Sequence, residues 1–281
     1  RGMRIVRDRT ELHGMVKQAR QEAKAAFNND AIYLERFIDQ PRHVEVQILA
    51  DSQGHVIHLF ERDCSSQRRH QKLIEESPSP AIDARTRKYL CESAVRLAKT
   101  AKYVTACTVE FLVDSKLRYY FIEVNTRIQV EHPVTEMLTD ADLIREQIRL
   151  AAGEPLSIAQ KTVMPHGHVI ECRVNAEDPS YGFRPCAGLI ERFRPPGGPG
   201  VRVDTHAYQG CRISPYYDSL IAKVIVHQPT RLDAIRTMQR ALREFVIEPI
   251  KTTIPFHLRI LEHERFVEGQ VDTGFIERSL L

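Results

Sequence analysis

Residues 119–136 read YYFIEVNTRIQVEHPVTE, from Tyr119 to Glu136, and the way this stretch pairs decides the fold. Tyr119, Tyr120, Phe121, Ile122 and Val124 are aromatic or β-branched, the residues a half-buried strand favours. Glu123 and Asn125 stand two apart in that strand, so both side chains leave the same face. A carboxylate and an amide oxygen at the end of an apolar strand are the hard ligands that magnesium takes. Pro133 cannot continue a central strand and predicts extended or turn structure at His132. Arg127, Gln129 and Glu131 are then expected to line the strand end and the loop after it, where an anionic substrate fits. The competing reading is a solvated strand end with an Arg–Glu surface pair, because charged loops are common.

The preceding strand supplies a test. Thr105–Val113 is expected to pair with Leu117–Val124 through a turn at Asp114-Ser115-Lys116. A loop of two or four residues centred on Ser115-Lys116 sets Glu110 opposite Phe121. Glu123 is then a same-face diagonal neighbour about 7–8 Å away. A three-residue loop sends the two carboxylates to opposite faces. Glu110, Glu123 and Asn125 converging on one patch would repel and lose hydration, so the same-face register predicts a bound cation.

Further out, short strands are expected at Met3–Val6, Ala31–Ile38, His43–Ala50 and Val56–Arg62. A helix capped by Thr10 runs to about Phe27 and stops at Asn28-Asn29-Asp30. In His43–Ala50, Val44, Val46 and Ile48 alternate with His43, Glu45 and Gln47. Asp63–Lys72 reads as a polar loop before a strand near Leu73–Glu75, and Asp83–Lys102 as an amphipathic helix. Asp140 is expected to cap a helix through Ala152, ended by Gly153 and Pro155. Residues 166–227 are β-rich, with strands near His168–Val174, Leu189–Phe193 and Leu220–His227, and helices follow at Thr230–Ile247 and Thr252–Leu261. Hairpins with segregated helices give an α+β fold.

Three other clusters carry chemistry. In Glu61–Lys72, Arg68, Arg69, His70 and Lys72 concentrate positive charge suited to phosphate oxygens. A nucleic-acid patch is disfavoured because Glu61, Asp63, Glu75 and Glu76 flank the run and no aromatic interleaves. The plain alternative is a solvated turn paired to those acids. His43, on the polar face of its strand, could share that cleft or simply be exposed. Glu171 and Arg173 share a face, where a strand ion pair is the simplest reading. Tyr216-Tyr217-Asp218-Ser219 reads as packing. The net charge of +3 argues for neither nucleic acid nor membrane, and no apolar run approaches the roughly 20 residues that span a bilayer. Cys64, Cys91, Cys107, Cys172, Cys186 and Cys211 are scattered and read as reduced thiols, implying cytoplasm or an organelle matrix such as that of mitochondria.

Taken together, ERDCSSQRRHQK at 61–72, TVEFLV at 108–113, FIEVNTRIQVEHPVTE at 121–136, ECRVNAEDP at 171–179 and PYYDS at 215–219 resemble the biotin carboxylase family. This is the ATP-grasp component of acetyl-CoA carboxylase, also found within pyruvate and acyl-CoA carboxylases. The resemblance covers essentially the whole chain and implies the C-terminal part of an ATP-grasp fold followed by a biotin carboxylase C-terminal domain. Residues 1–38 would be a remnant of the lid, 39–160 the catalytic core and 161–281 the C-terminal domain. Glu110, Glu123 and Asn125 match positions that hold two magnesium or manganese ions against ATP, neutralising charge as the γ-phosphoryl moves. His43, Gln67 and His70 match nucleotide contacts, as does the Glu35, Arg36, Phe37 and Ile38 segment through its backbone. Lys72, Arg127, Gln129, Val130 and Glu131 resemble the bicarbonate pocket, with Glu131 as the general base. Arg173 matches the residue that steadies the biotin enolate.

The resemblance also has a gap. Arg1-Gly2-Met3 resembles the tail of a glycine-rich phosphate loop, so the lid lysines and most of that loop are expected to be missing and this polypeptide alone to be inactive. Arg36 stands where lysine is usual, a position that acts through its backbone. Implied partners are a biotin carboxyl carrier protein or domain, a carboxyltransferase subunit or domain and a second copy in a homodimer. Neither nucleic acid nor membrane is implied. The alternatives are another ATP-grasp ligase and a non-catalytic module derived from one.

Overall fold

Residues 2–281 are described by the computed structural model, which divides into a small unit ending at Asp39 and a large one, Gln40–Leu281. In the small unit, helix α1 (Leu12–Phe27) ends at Asn28 in the left-handed conformation, as the Asn-Asn-Asp signal predicts. Its N-cap is Glu11 rather than Thr10. Thr10 instead turns back on Asp8, whose Oδ1 accepts from its amide at 2.8 Å and its hydroxyl at 2.7 Å. The strands expected at Met3–Val6 and Ala31–Ile38 do not form, because neither segment has a ladder partner among the described residues.

The large unit is built around β1 (Arg42–Ala50), which pairs antiparallel with β2 (Val56–Arg68) on one side and β4 (Thr105–Val113) on the other. Its apolar and polar residues do alternate, yet both faces are buried: Val44, Glu45, Val46 and Gln47 are all fully covered. The polar loop expected at 63–72 is mostly strand. β2 continues to Arg68, turns through Arg69 and His70 at φ 48° and 65°, and returns as β3 (Gln71–Ser77). Helix α2 (Ala84–Thr100), capped by Asp83 accepting from the Thr86 amide at 2.7 Å, packs Leu90, Cys91, Ala94 and Ala98 against the apolar residues of β1 and β4. The edge beyond β4 is β5 (Tyr119–Asn125).

Helix α3 (His132–Thr139) begins where turn structure was expected. Pro133 falls in its first turn, where the missing N–H has no partner to lose. Asp140 closes α3 in the left-handed conformation, and Asp142 caps α4 (Leu143–Ala151) by accepting from the Arg145 amide at 2.8 Å. Strands β6 (His168–Asn175), β7 (Val201–Thr205) and β8 (Leu220–Gln228) follow, then α5 (Arg231–Glu244), capped by Thr230, and α6 (Ile254–Glu262). The expected Leu189–Phe193 strand is split into Gly188–Leu189 and Arg192–Arg194, and Val246–Glu248, expected as helix, pairs with the latter. The architecture is α+β, and one eight-stranded sheet in the order β7-β8-β6-β3-β2-β1-β4-β5 runs through it. Residues 39–160 and 161–281 are therefore joined along β3 and β6, with Ile74 opposite Cys172 and Glu75 opposite Glu171.

Glu76 fastens that seam on its other face. It accepts from His168 Nε2 at 2.8 Å and from Arg231 Nε at 2.6 Å and Nη2 at 3.0 Å. Burial alone would raise the carboxyl, but the His168 hydrogen bond and the Arg231 charge outweigh it and bring it down to about 2. A depressed carboxylate contributes stability above its unfolded pKa and loses it as pH falls through the folded one. Glu76→Gln is thus expected to unfold more easily at neutral pH and to lose less stability between pH 4.5 and about 2. Urea midpoints across that range, parallel for the two proteins, would refute the assignment.

Candidate active site

The β4–β5 hairpin delivers the expected patch by an unexpected route. Val113 pairs with Tyr119, Leu112 with Tyr120 and Phe111 with Phe121, around an odd connection running from Asp114 to Arg118. Continued regularly, that register would set Glu110 against Ile122 and turn Glu123 to the far face. A bulge between Glu110 and Phe111 absorbs one residue, and Glu110 then pairs directly with Glu123, not with Phe121. The Asn125 amide donates to Glu110 Oε1 at 3.0 Å and to Glu123 Oε1 at 3.3 Å.

Facing carboxylates need compensation, and Glu110 has it. His43 Nε2 lies 2.8 Å from its Oε2, while Gln129 Nε2 and Lys72 Nζ donate to Oε1 at 2.8 and 3.1 Å. Burial works against the ionised form, but the His43 hydrogen bond, His43 and Lys72 outweigh it and hold Glu110 well below the ordinary carboxylate range. Lys72 also donates to Glu45 at 2.5 Å and to Glu131 at 2.6 Å. Desolvation would lower its ammonium, yet the Glu45, Glu131 and Glu110 carboxylates keep it far above its usual value. His43, Glu45 and Glu110 bring ligand atoms within 4.8 Å of one another, with Lys72 as their counter-charge.

Beneath this cluster lies a side chain that sequence reasoning missed. Arg62 is fully buried and donates from Nε to Glu45 at 2.6 Å, and from Nη1 to Gln47 and Thr135 at 2.8 Å each. Its Nη2 reaches Gln129 Oε1 at 3.1 Å, which turns the Gln129 NH2 toward Glu110. Burial raises Glu45, but Arg62 and Lys72 bring it down to about 2. The alternation of Glu45 and Gln47 on a buried strand was the available signal, since each needed a partner.

Glu131, at the N-cap of α3 and 2% exposed, accepts from Lys72 through Oε1 and from Arg173 Nη2 through Oε2 at 2.8 Å. Arg173 also donates from Nε to Glu75 at 2.6 Å, so the expected Glu171–Arg173 strand pair is not made. Nor do Arg127 and Glu131 form a surface pair: Arg127 bonds to Ile128 O at 3.2 Å and Asn125 Oδ1 at 3.3 Å, and Glu131 is buried. The Val130 carbonyl accepts from Lys223 Nζ at 2.8 Å, a contact the sequence did not signal. Lys72, Arg127, Gln129, Val130, Glu131 and Arg173 line one cleft of about 410 Å3, together with His43, His70, Glu110, Glu123 and Asn125. Gln67 is buried opposite Lys72 in the β2–β3 ladder and does not line the cleft. Arg68 does line it, 3.9 Å from Glu177 and over the Phe183 ring at 4.0 Å. Glu35, Arg36, Phe37 and Ile38 belong to the small unit, where Phe37 stacks under Arg7 at 5.1 Å.

The donor set fits a hard divalent cation. Two facing carboxylates and an amide oxygen are oxygen ligands of the magnesium and manganese type. The amide protons now held against Glu110 and Glu123 mark where positive charge is favourable. Beside this patch, Glu131 sits between two cations, with Arg127 open on the same wall. A small polyanion can meet the metal patch at one end and a second, deprotonatable anion the Lys72–Arg127 end.

Two family models cover nearly all of the chain: residues 1–159 match the carbamoyl-phosphate synthase L chain ATP-binding domain, and residues 171–278 the biotin carboxylase C-terminal domain. Biotin carboxylase 1 of Bacillus subtilis is 56% identical over 278 residues, which is 99% of this chain and 62% of that protein. The biotin carboxylase of Campylobacter jejuni, solved as a complex named with β-γ-ATP, superposes with a TM-score of 0.93 at 47% identity, covering 99% of this chain and 62% of that one. The biotin carboxylase domain dimer of Hydrogenobacter thermophilus 2-oxoglutarate carboxylase, solved with MgADP, ADP and bicarbonate, superposes with a TM-score of 0.92 at 47% identity, covering 99% and 61%. The chain thus spans about three fifths of the length of these relatives. With both family models matched in order and the acidic hairpin, Lys72, Glu131 and Arg173 gathered on one cleft, this chain belongs to the biotin carboxylase family of ATP-grasp proteins.

Proposed function

We propose that these residues carry, within their enzyme, the ATP-dependent carboxylation of biotin with bicarbonate. The observation that carries this reading is Glu131, a buried carboxylate bridging Lys72 and Arg173 beside the Glu110–Glu123 pair. Bicarbonate has no apolar handle and is held by charge; Lys72, Arg127, Gln129 and the Val130 backbone supply it. Glu131 takes the bicarbonate proton, so the oxygen can attack the terminal phosphorus of ATP and displace ADP. A divalent ion at Glu110, Glu123 and Asn125 would neutralise charge on the phosphate oxygens. The carboxyphosphate so formed gives carbon dioxide and phosphate, and the phosphate takes the ureido N–H proton of biotin. Arg173 then faces the enolate oxygen as its charge develops, and the deprotonated ureido nitrogen adds to carbon dioxide to give carboxybiotin. His43 and His70, which line the same cleft, are the proposed nucleotide contacts of the large unit.

The Hydrogenobacter dimer supports a second copy as partner, and a biotinylated carrier and a carboxyltransferase are the further partners proposed. Six free cysteines agree with a reducing compartment, cytoplasm or organelle matrix. The test is Arg173→Ala in the enzyme containing these residues. Biotin carboxylation is expected to fall about 10²–10³-fold while bicarbonate-dependent ATP hydrolysis persists. Unchanged carboxylation would exclude the biotin role and leave a different ATP-grasp ligase.

A further inference from the structure

Behind Arg173 lies a pair of carboxyls that the proposed reaction does not use. Glu75 of β3 and Glu171 of β6 are directly opposite one another, and both are fully buried. Directly opposed residues place their side chains on one pleat face at close range, and like charges there repel. Glu75 spends Oε1 on Arg173 Nε. Its Oε2 and both oxygens of Glu171 have no hydrogen-bond partner among the described residues. Orphaned carboxyl oxygens in a sealed seam are strongly disfavoured if both groups are charged, because neither water nor a donor replaces their hydration.

The cations nearby do not resolve this. Arg173 is divided between Glu75 and Glu131, and Lys72 among Glu45, Glu110 and Glu131. Lys223, on the neighbouring strand opposite Arg173, donates to Val130 O and lies 3.5 Å from Asp204. Burial and the adjoining Glu75 charge push the Glu171 carboxyl well up, with Glu131 adding to that and Lys223 and Arg173 opposing it. Glu75 keeps a direct partner and Glu171 has none, so a shared proton resides on Glu171. The Arg173 backbone is fixed separately, its carbonyl accepting from Thr253 Oγ1 at 3.1 Å and His257 Nε2 at 2.6 Å. What remains free to vary is the direction of the guanidinium, which Glu75 fixes at Nε and Glu131 at Nη2.

We propose that Glu171 is a neutral carboxylic acid whose O–H donates to the open oxygen of Glu75, and that this pair aims the Arg173 guanidinium into the biotin pocket. Glu171 is then a positioning residue acting through Glu75 on Arg173. The aim at biotin rests on the function proposed above; the protonation state does not, and it is read without turnover.

Three proteins test it: the native chain, Glu171→Gln and Glu171→Leu. A carboxyl whose proton is retained by folding loses stability as pH rises from the ordinary glutamate range. Glutamine is the neutral mimic and still donates to Glu75, so its melting temperature is expected to climb above the native one progressively as pH rises. The infrared carbonyl band of a protonated carboxyl, present in the native chain at neutral pH, is expected to vanish in Glu171→Gln. In the turnover assay, with each substitution placed in the enzyme containing these residues, Glu171→Gln should keep the native KM for biotin, and Glu171→Leu, with no donor, should raise it roughly three- to tenfold, one hydrogen bond's worth. A pH-independent stability gap, or no protonated-carboxyl band in the native chain, overturns the neutral acid. Equal biotin KM values for the leucine and native proteins overturn the positioning role. If Arg173→Ala also leaves biotin KM untouched, the failure lies with the biotin assignment, and the stability and infrared results still decide the proton.

Discussion

Arg62→Met is expected to lower stability by about 3–5 kcal/mol, the cost of leaving a buried charge without its partner. The residue is enclosed, so no water replaces its guanidinium, and Glu45 would be left with Lys72 as its remaining ion-pair partner. Gln47, Thr135, Thr108 and Gln129 would each lose a donor at the same time. Chemical denaturation reads the loss directly. The double variant Arg62→Met, Glu45→Met should recover part of it, because removing both charges spares the uncompensated one. A loss below about 1 kcal/mol would mean that Arg62 merely fills space, on the scale of an exposed ion pair.

Glu131→Gln is expected to lower bicarbonate-dependent ATP hydrolysis by about 10²–10⁴-fold, the usual contribution of a positioned general base. The fold should survive the change. Arg173 keeps Glu75, and Lys72 keeps Glu45 and Glu110, so neither cation is stranded. Nucleotide affinity, measured by calorimetry with magnesium present, should change little, since Glu131 lies at the end of the cleft proposed for bicarbonate. Loss of nucleotide binding or a large fall in melting temperature alongside lost turnover would instead make Glu131 a structural clamp.

What the sequence made legible was alternation and chemistry-bearing spacing. β1, β4 and β5 were readable because β-branched and aromatic residues fall at period two between turn signals. Glu123 and Asn125 could be put on one face for the same reason. The run Asp63–Arg68 was read as loop because its composition is polar, yet a sheet covered on both faces can bury polar strands when partners are near. Ser65 is tied to Asp63 at 2.5 Å, and Ser79 to the same carboxylate at 2.7 Å. Pro133 reads as a strand breaker that imposes extended or turn structure at His132, whereas its first-turn position makes it a helix starter. The bulge at Glu110 leaves no mark in composition, since its only signature is the pairing itself. Arg62 was hidden for a related cause: its five donor contacts come from β1, β4, α3 and the segment before it, and no local window contains them.

The β3–β6 ladder also governs how the protein can be cut and recombined. Family models divide the chain between residues 159 and 171, and a boundary there looks like a natural junction for exchanging modules. The ladder crosses that boundary. Separating the halves would bare a strand edge on each piece, and open edges template unwanted pairing. It would also expose Glu75, Glu76 and Glu171 on surfaces built for none of them. The inheritable unit is the continuous sheet, so a hybrid with a foreign C-terminal segment must bring matched residues on both sides of the seam.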